Sequence, residues 1–246
     1  MDTRLDLALV NRNLARSRAV AVELITTGQV SVNGVITIKP SKPVSDTAQV
    51  AIAEQPTEIS RAARKLSGLL ARLAAEGIAP DIKGKDCLDV GASTGGFTQV
   101  LLDTGAKRVI ALDVGHNQLR PELRADERVT VIEGVNARYL TPDQIPFTPQ
   151  VIVADLSFIS LTMVIPALAG IAKPGTNAIL LIKPQFEVGK AKLGKGGIVR
   201  NQTHIEQAIS DVVEAAEANN LKVTKVIPSP VTGENGNQEY FLIGHW

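Results

Sequence analysis

The sequence has few residues of several types, and each shortage excludes a class of protein. A single cysteine, Cys87, excludes an internal disulfide. The three histidines lack metal-ligand spacing with it or with one another, so we expect no bound metal. No apolar run approaches the roughly 18 residues that a membrane span needs, and the first residues lack the basic-then-apolar pattern of a signal peptide. These shortages predict a cytoplasmic, metal-free protein.

The chain also lacks a large excess of either charge, and it has few aromatic residues. The chain has 26 Lys and Arg against 25 Asp and Glu, so attraction to nucleic acid must come from local clusters. Aromatic residues make up only 3% of the chain. The hydrophobic share of 44%, with 20 glycines and 13 prolines, is typical of a globular protein and excludes disorder and collagen-like repeats. The length of 246 residues predicts one large domain with a small companion.

Residues 1–54 predict a small α+β module of two helices followed by a hairpin. Apolar residues recur there at helical spacing, and we expect Ser17 to cap the second helix and Gly28 to end it. An alternation of apolar and polar residues then runs into Asn33-Gly34, the strongest short-range signal for a hairpin.

Basic residues outnumber acidic ones by six to two between positions 4 and 42. On charge alone, RNA phosphates and a solvated helix face explain this cluster equally well. The order of motifs, from Arg4-Leu5-Asp6 through Ala15-Arg16-Ser17-Arg18 to Lys39-Pro40, resembles the S4 RNA-binding domain. That resemblance implies binding to structured RNA, with contacts expected from Arg4, Arg16, Arg18, Lys39 and Lys42.

A linker and a larger α/β domain follow. The polar, proline-containing stretch 55–59 predicts the linker, and 60–246 predicts the domain. Short β-rich apolar runs alternate there with helical patterns, which favours a doubly wound, Rossmann-like sheet of parallel strands buried on both faces. The runs occupy 87–90, 109–112, 129–132, 151–154 and 178–182. Two last strands, near 222–227 and 239–244, are joined without a helix and predict an antiparallel final hairpin.

A glycine-rich loop follows the first of these strands and opens a helix. Gly91, Ser93 and Gly96 have the spacing of a cofactor loop, but a serine replaces the middle glycine that lets backbone approach a pyrophosphate. This favours a nucleoside cofactor without a phosphate, such as S-adenosylmethionine, over a dinucleotide. Asp113 ends the next strand about twenty residues on, where an acid accepts hydrogen bonds from ribose hydroxyls. A simple tight turn and a helix cap are the alternatives for the loop and for Asp113.

Polar residues end the later strands at the same predicted sheet edge. Asn136 is placed either to bond an adenine edge or simply to form a turn. Asp155 and Lys183 end neighbouring strands, and burying such a pair costs desolvation that apolar residues would avoid, which favours a functional role. Lys65 and Glu239 do not stand out by spacing. A solvated helix face explains Lys65 equally well, and a charge on an edge strand explains Glu239.

Long motifs of the second domain resemble the TlyA family, whose members are ribosomal RNA 2′-O-methyltransferases, also named haemolysin A, with an S4 domain fused to an FtsJ-type domain. The motifs include Asp89 to Thr98, Ala111-Leu112-Asp113-Val114-Gly115, Ser157-Phe158-Ile159-Ser160-Leu161 and Lys183-Pro184-Gln185-Phe186-Glu187. The resemblance implies S-adenosylmethionine as cofactor, ribosomal RNA as partner and a cytidine of 16S or 23S rRNA as target. It places a catalytic tetrad on Lys65, Asp155, Lys183 and Glu239. It places cofactor contacts on Asp89, Gly91, Ala92, Ser93, Gly95, Gly96, Phe97, Asp113, Asn136 and Asp155.

Methylation of a ribose explains why these residue types are needed. A 2′-hydroxyl is a weak nucleophile near neutral pH, whereas a sulfonium methyl group is a good electrophile. The enzyme must therefore take up the hydroxyl proton and hold the two groups in line. Lys183 is the candidate proton acceptor, and Asp155 and Glu239 would orient the ammonium groups.

The segment from Lys183 to Arg200 is rich in lysine, glycine and alanine. It predicts a mobile basic lid over RNA phosphates or a disordered surface loop, two alternatives that are compatible before RNA binds, with contacts expected from Lys190, Lys192 and Lys195. Phe158 and Phe186 could stack on a splayed base, but with so few aromatics we expect them to pack in the core.

Two other function classes stay open. A haemolysin-like, membrane-active protein is disfavoured because the chain has no segment of membrane length. A non-catalytic RNA-binding factor in ribosome assembly is disfavoured because all four tetrad residue types are retained. Dye release from liposomes tests the first class, and a radiolabelled methyl assay tests the second.

Overall fold

The computed structural model describes residues 3–12, 14–15, 18–26, 28, 30–52, 60–189, 192–233 and 236–246. The chain divides into two compact units, Met1–Glu58 and Ile59–Trp246. The predicted linker at 55–59 and the predicted cap at Ser17 lie outside the described residues. The description of the second unit begins at Ser60.

The described residues of the first unit form two short helices and two small sheets. Its elements are β1 (Thr3–Arg4), α1 (Leu5–Asn11), α2 (Arg18–Thr26), β2 (Val30–Val32), β3 (Val35–Ile36), β4 (Pro43–Val44) and β5 (Val50–Ile52). Strand β1 pairs with β4, and β2 lies between β3 and β5. The predicted hairpin is confirmed, because Asn33 and Gly34 join β2 to β3 with φ values of +52° and +79°, as a tight hairpin turn requires. Helix α2 ends before Gly28, whose φ of +75° does not continue a helix.

The second unit is a layered α/β domain around a seven-stranded sheet. Its strands are β6 (Asp86–Val90), β7 (Arg108–Asp113), β8 (Val129–Glu133), β9 (Val151–Ala154), β10 (Asn177–Ile182), β11 (Lys222–Pro228) and β12 (Tyr240–His245). Its helices are α3 (Arg61–Ala75), α4 (Gly96–Asp103), α5 (Pro121–Arg124), α6 (Ile165–Ile171), α7 (Pro184–Glu187) and α8 (Gln202–Ala218). Among the described residues, no helix combines the length and apolarity that a membrane crossing needs.

The sheet has the order β11-β12-β10-β9-β6-β7-β8. The strands from β6 to β10 pair in parallel, and β12 pairs antiparallel with both β10 and β11. The predicted doubly wound sheet and its antiparallel final hairpin are both confirmed. The central parallel strands β6, β7, β9 and β10 are largely apolar and buried because helices cover both faces of the sheet. In β6, Cys87 packs with Leu66 of α3 and Leu101 of α4, whereas its neighbour Leu88 packs on the other face with Leu168 of α6.

The strand order reverses between β6 and β9, and this reversal creates a crevice. From β6 the chain runs outward through β7 and β8, then crosses back so that β9 lies on the other side of β6. Ligands of open α/β sheets bind at the carboxyl ends of strands at such a point. Here Gly91 follows β6 with a φ of +84°, and a Cβ on it would lie 2.8 Å from the Asp155 carbonyl oxygen. Glycine therefore lets the two strand ends approach closely.

Candidate active site

Four charged side chains from four separate parts of the second unit meet beside this crevice. Lys65 lies on α3, Asp155 follows β9, Lys183 follows β10 and Glu239 precedes β12. The Nζ of Lys65 lies 2.7 Å from Glu239 Oε2 and 3.4 Å from Asp155 Oδ2. The Nζ of Lys183 lies 2.6 Å from Asp155 Oδ1. The four residues of the predicted tetrad thus form one continuous ion-pair network.

The network is largely removed from water. Glu239 is 2% exposed, and Lys65 and Lys183 are also buried. Two ammonium groups balance two carboxylates, so the network as a whole carries no net charge in this protonation state. That balance is needed because an unpaired charge at such a depth would be strongly destabilising.

Two neutral side chains complete the network, and sequence reasoning assigned them no role. The Nζ of Lys183 donates a hydrogen bond of 2.9 Å to Ser157 Oγ, and Gln185 Nε2 donates one of 3.2 Å to Glu239 Oε1. Each of them stands two residues after a tetrad member that ends a strand. A search for polar side chains just beyond the strand ends would have found both.

Two tetrad residues, Asp155 and Lys183, line a cleft together with the glycine-rich loop. The cleft has a volume of about 160 Å³ and is lined by Ala62, Gly91, Ala92, Ser93, Thr94, Gly96, Phe97, Asp155, Ser157 and Lys183. Most of the predicted cofactor-loop residues therefore share one space with the reactive end of Lys183. A small molecule that binds in this cleft would lie between the loop and the amine.

The next strand end offers a carboxylate that is already oriented. Asp113 accepts hydrogen bonds from the backbone N–H of Ser93 at 2.8 Å and of Gly115 at 2.7 Å, one on each oxygen. Each oxygen keeps capacity to accept a further bond from a ribose hydroxyl. Beside it Val114 is 64% exposed, an apolar face suited to an adenine ring that sequence reasoning missed. The loop, the carboxylate and this apolar face fit S-adenosylmethionine.

Four of the predicted cofactor residues do not line the cleft: Asp113, described above, Asp89, and the two considered first here, Gly95 and Asn136. Gly95 has a φ of +94° and precedes α4, and a Cβ on it would meet the side chains of Leu119 and Leu123. Its glycine is thus required by the turn and by packing. The Asn136 Oδ1 accepts a hydrogen bond of 3.0 Å from the Arg138 N–H, so this side chain forms a turn, one of its two predicted roles.

Asp89 lies beneath the loop instead of in the cleft. It is fully buried, and its Oδ2 accepts a hydrogen bond of 2.6 Å from Thr98 Oγ1 of α4. Among the described residues, its Oδ1 has no hydrogen-bond partner. Burial disfavours the charged form and raises the pKa of Asp89 to about 7. Asp89 therefore supports the loop from below.

This buried acid predicts a pH-dependent stability. In the unfolded chain the Asp89 carboxyl group holds its proton only below about pH 4, so folding takes up a proton between about pH 4 and 7. The free energy of unfolding therefore falls as the pH rises through that range. We expect Asp89→Asn, which keeps an acceptor for Thr98, to flatten this slope and to be more stable than the wild type at pH 8 by at least about 1 kcal/mol. Urea unfolding followed by the fluorescence of Trp246, the single tryptophan, measures it. Equal pH slopes in the two proteins would contradict the assignment.

In the first unit, a buried carboxylate anchors two of the predicted RNA-contacting arginines. Arg4 Nη2 and Arg18 Nε each lie 2.9 Å from Asp6 Oδ2, and the hydrogen bond from Arg4 is the main cause that lowers the pKa of Asp6. Both arginines remain exposed. They are therefore held in place on the surface with donors free for other acceptors.

The other predicted RNA contacts are placed as follows. Lys39 and Lys192 are exposed and Lys42 is half-buried. Arg16, Lys190 and the side chain of Lys195 lie outside the described residues.

The C-terminal end of the basic segment Lys183 to Arg200 is fixed to the residues that precede Glu239. The buried Asn237 accepts a hydrogen bond of 2.9 Å from the Val199 N–H and donates one of 3.0 Å to the Gly197 carbonyl. This end of the loop is therefore anchored two residues from a tetrad member.

Phe158 lies on the surface, so the expectation that it packs in the core is wrong. It is 91% exposed and has a φ of +66° in the turn after β9. Its ring centroid lies 5.2 Å from that of Phe186, whose ring lies 5.8 Å from Lys183 Nζ. The turn that holds Ser157 against Lys183 carries the next residue outward. The exposed ring directly follows Ser157, which lines the cleft, and is therefore available to contact a ligand bound there.

The comparisons with known proteins agree with this arrangement. Residues 59–246 match the family model of the FtsJ-like methyltransferases, and residues 3–50 match that of the S4 domain. The chain is 46% identical to the 16S/23S rRNA (cytidine-2′-O)-methyltransferase TlyA of Mycobacterium tuberculosis, over 97% of this chain and 88% of the relative. It is 38% identical to Hemolysin A of Brachyspira hyodysenteriae, over 96% of this chain and 97% of the relative.

A solved structure from Streptococcus thermophilus that carries a hemolysin name matches with a TM-score of 0.74 and 34% identity, over 99% of this chain and 88% of that chain. The similarity to these proteins spans both units, and the second unit carries the cleft and the ion-pair network described above. The chain therefore belongs to the TlyA family, in which an S4 domain is joined to an FtsJ-like methyltransferase domain.

Proposed function

We propose that this chain methylates the 2′-hydroxyl of a cytidine in ribosomal RNA. Membership in its family makes the chain a methyltransferase that uses S-adenosylmethionine. The substrate is proposed from the name of the Mycobacterium tuberculosis relative and from the S4 domain. The observation that carries the proposal is the buried Lys65–Asp155–Lys183 network at the cleft, because it supplies an amine of the kind that a ribose hydroxyl requires as proton acceptor.

The tetrad residues have distinct parts in this reaction. When bound, S-adenosylmethionine supplies an electrophilic methyl group. Lys183 first releases its ammonium proton to solvent. As the neutral amine it then accepts the proton of the 2′-hydroxyl, while its contacts with Asp155 and Ser157 hold the Nζ in place. Lys65 lies between Asp155 and Glu239 and keeps both carboxylates paired. The protein's contribution is thus proton uptake and alignment.

Transfer of labelled methyl groups to ribosomal particles tests the proposal directly. Purified protein and tritiated S-adenosylmethionine are incubated with 30S, 50S and 70S particles from a strain that lacks the gene, and the RNA is hydrolysed with alkali. We expect label in an alkali-resistant dinucleotide that contains cytidine, because 2′-O-methylation blocks cleavage at that position. Label in alkali-sensitive products would place the methyl group on a base. No label on any particle, with the cofactor bound, would support a role in ribosome assembly without turnover.

The exposed ring of Phe158 predicts an effect on RNA binding. Stacking of a base on an aromatic side chain contributes about 1–3 kcal/mol, so Phe158→Ala should raise the KM for the ribosomal substrate roughly 10-fold to 100-fold. Binding of S-adenosylmethionine, measured by calorimetry, should stay within about twofold, because the side chain of Phe158 does not line the cleft. Phe158→Tyr is the matched control and should keep near wild-type KM. A normal KM for Phe158→Ala would show that no base stacks there.

A further inference from the structure

The segments that follow β9 and β10 are joined by a second link beyond the tetrad. At the near end, Asp155 and Ser157 contact Lys183. At the far end, Glu187, the last residue of α7, accepts a hydrogen bond of 2.9 Å from the Leu161 N–H and another from the hydroxyl of Ser160. The turn from 155 to 161 is therefore fixed to the segment from 183 to 187 at both of its ends.

Phe158 lies in the middle of this doubly fixed turn. A positive φ is unfavourable for a bulky residue and persists where neighbouring contacts determine it. The ring itself is exposed and touches only the ring of Phe186 among the aromatic contacts of the described residues. Because solvent does not hold an exposed ring in one place, its position depends on the ring of Phe186 and on the backbone of the turn, which is fixed at both ends.

Within the described part of the chain, the carboxylate of Glu187 serves as a hydrogen-bond acceptor for the turn and not as a partner in an ion pair. Glu187 is half-buried, and it forms no ion pair with a cation among the described residues. Burial raises the pKa of Glu187, with Asp211 adding a smaller effect of like charge, so the charged side chain is not placed there for favourable electrostatics. Its two oxygens are instead used as acceptors, one for each residue at the end of the turn.

We propose that Glu187 is a positioning residue that holds the Phe158 ring where the base of the target nucleotide docks. Glu187 touches neither the cleft nor the tetrad, and it acts through Ser160 and Leu161. The inference rests on the proposed function, since it assigns a residue that orders the RNA-binding side of the same site.

The first test separates binding of RNA from chemistry. Glu187→Ala should raise the KM for ribosomal particles about tenfold while kcat and the affinity for S-adenosylmethionine stay within about threefold, because the lost contact orders a binding face. Glu187→Gln should restore most of the wild-type KM, because an amide accepts from the Leu161 N–H and donates to Ser160 Oγ. Glu206→Ala, which removes a carboxylate from the exposed face of α8, is the matched control and should match the wild type. A wild-type KM for Glu187→Ala would overturn the inference.

The second test asks whether Glu187 acts through Phe158. In a Phe158→Ala background, Glu187→Ala should change KM less than about twofold, because the ring that it positions is already gone. Losses that multiply would overturn the inference and assign Glu187 a separate role. If Glu187→Ala does not fold, Ser160→Ala removes one of the two contacts and should raise KM in the same direction by a smaller factor. Failure of the wild type to methylate RNA would refute the proposed function instead, so the two failures are distinguishable.

Discussion

Lys183→Ala is expected to lower the rate of methyl transfer to ribosomal RNA by about 10²-fold to 10⁴-fold, the usual contribution of a positioned proton acceptor. Lys183 is the amine that lines the cleft, held by Asp155 at 2.6 Å and Ser157 at 2.9 Å. Among the described residues, Lys65 is the other amine of the network, but it lies between two carboxylates and does not line the cleft. Affinity for S-adenosylmethionine should stay within a fewfold. Single-turnover methyl transfer and calorimetry measure the two effects.

Two further variants show which property of Lys183 matters. Lys183→Arg keeps the positive charge but cannot act as a neutral amine, so it should be nearly as inactive as Lys183→Ala. Lys222→Ala removes an exposed lysine of β11 and should have normal activity. Full activity of Lys183→Arg would show that the site needs a charge and not a proton acceptor. Normal turnover by Lys183→Ala would remove Lys183 from the reaction altogether.

Lys65→Met is expected to destabilise the second unit by about 3–5 kcal/mol, the usual effect of removing one partner of a buried ion pair. Glu239 is 2% exposed, and its Oε2 has its close cation in Lys65 at 2.7 Å. The variant leaves that carboxylate buried without its cation, and among the described residues Gln185 is its remaining side-chain hydrogen-bond donor. Denaturant unfolding followed by Trp246 fluorescence reports on this unit because the indole lies within it.

The double variant Lys65→Met with Glu239→Leu is the matched control for this effect. It removes both charges and should recover a large part of the lost stability, because apolar residues often replace a buried pair at little cost. It should nevertheless have little methyltransferase activity, since two of the four tetrad residues are gone and Asp155 then contacts only Lys183 within the tetrad. A loss below about 1 kcal/mol for Lys65→Met would show that Lys65 does not compensate a buried charge on Glu239.

Local patterns in the sequence were enough to predict much of the framework. The continuous apolar runs of β6 to β10 indicated parallel strands covered on both faces, because a strand with one solvated face would alternate. Asn33-Gly34 predicted its hairpin because both residues tolerate a positive φ. The cofactor loop and Asp113 could also be predicted from local sequence, because the loop directly follows one strand and Asp113 ends the next. Neither prediction requires knowledge of distant contacts.

Other features depend on contacts between parts of the chain that are far apart. The sequence by itself determined the strands, their turns and the loop at the sheet edge. Only the tertiary structure decided that α3 and β12 bring Lys65 and Glu239 together, since that contact depends on where β12 enters the sheet. It also decided that Asp89 is sealed under α4 and that Phe158 is exposed, because the three-dimensional packing around a side chain, and not its neighbours in sequence, determines whether water reaches it.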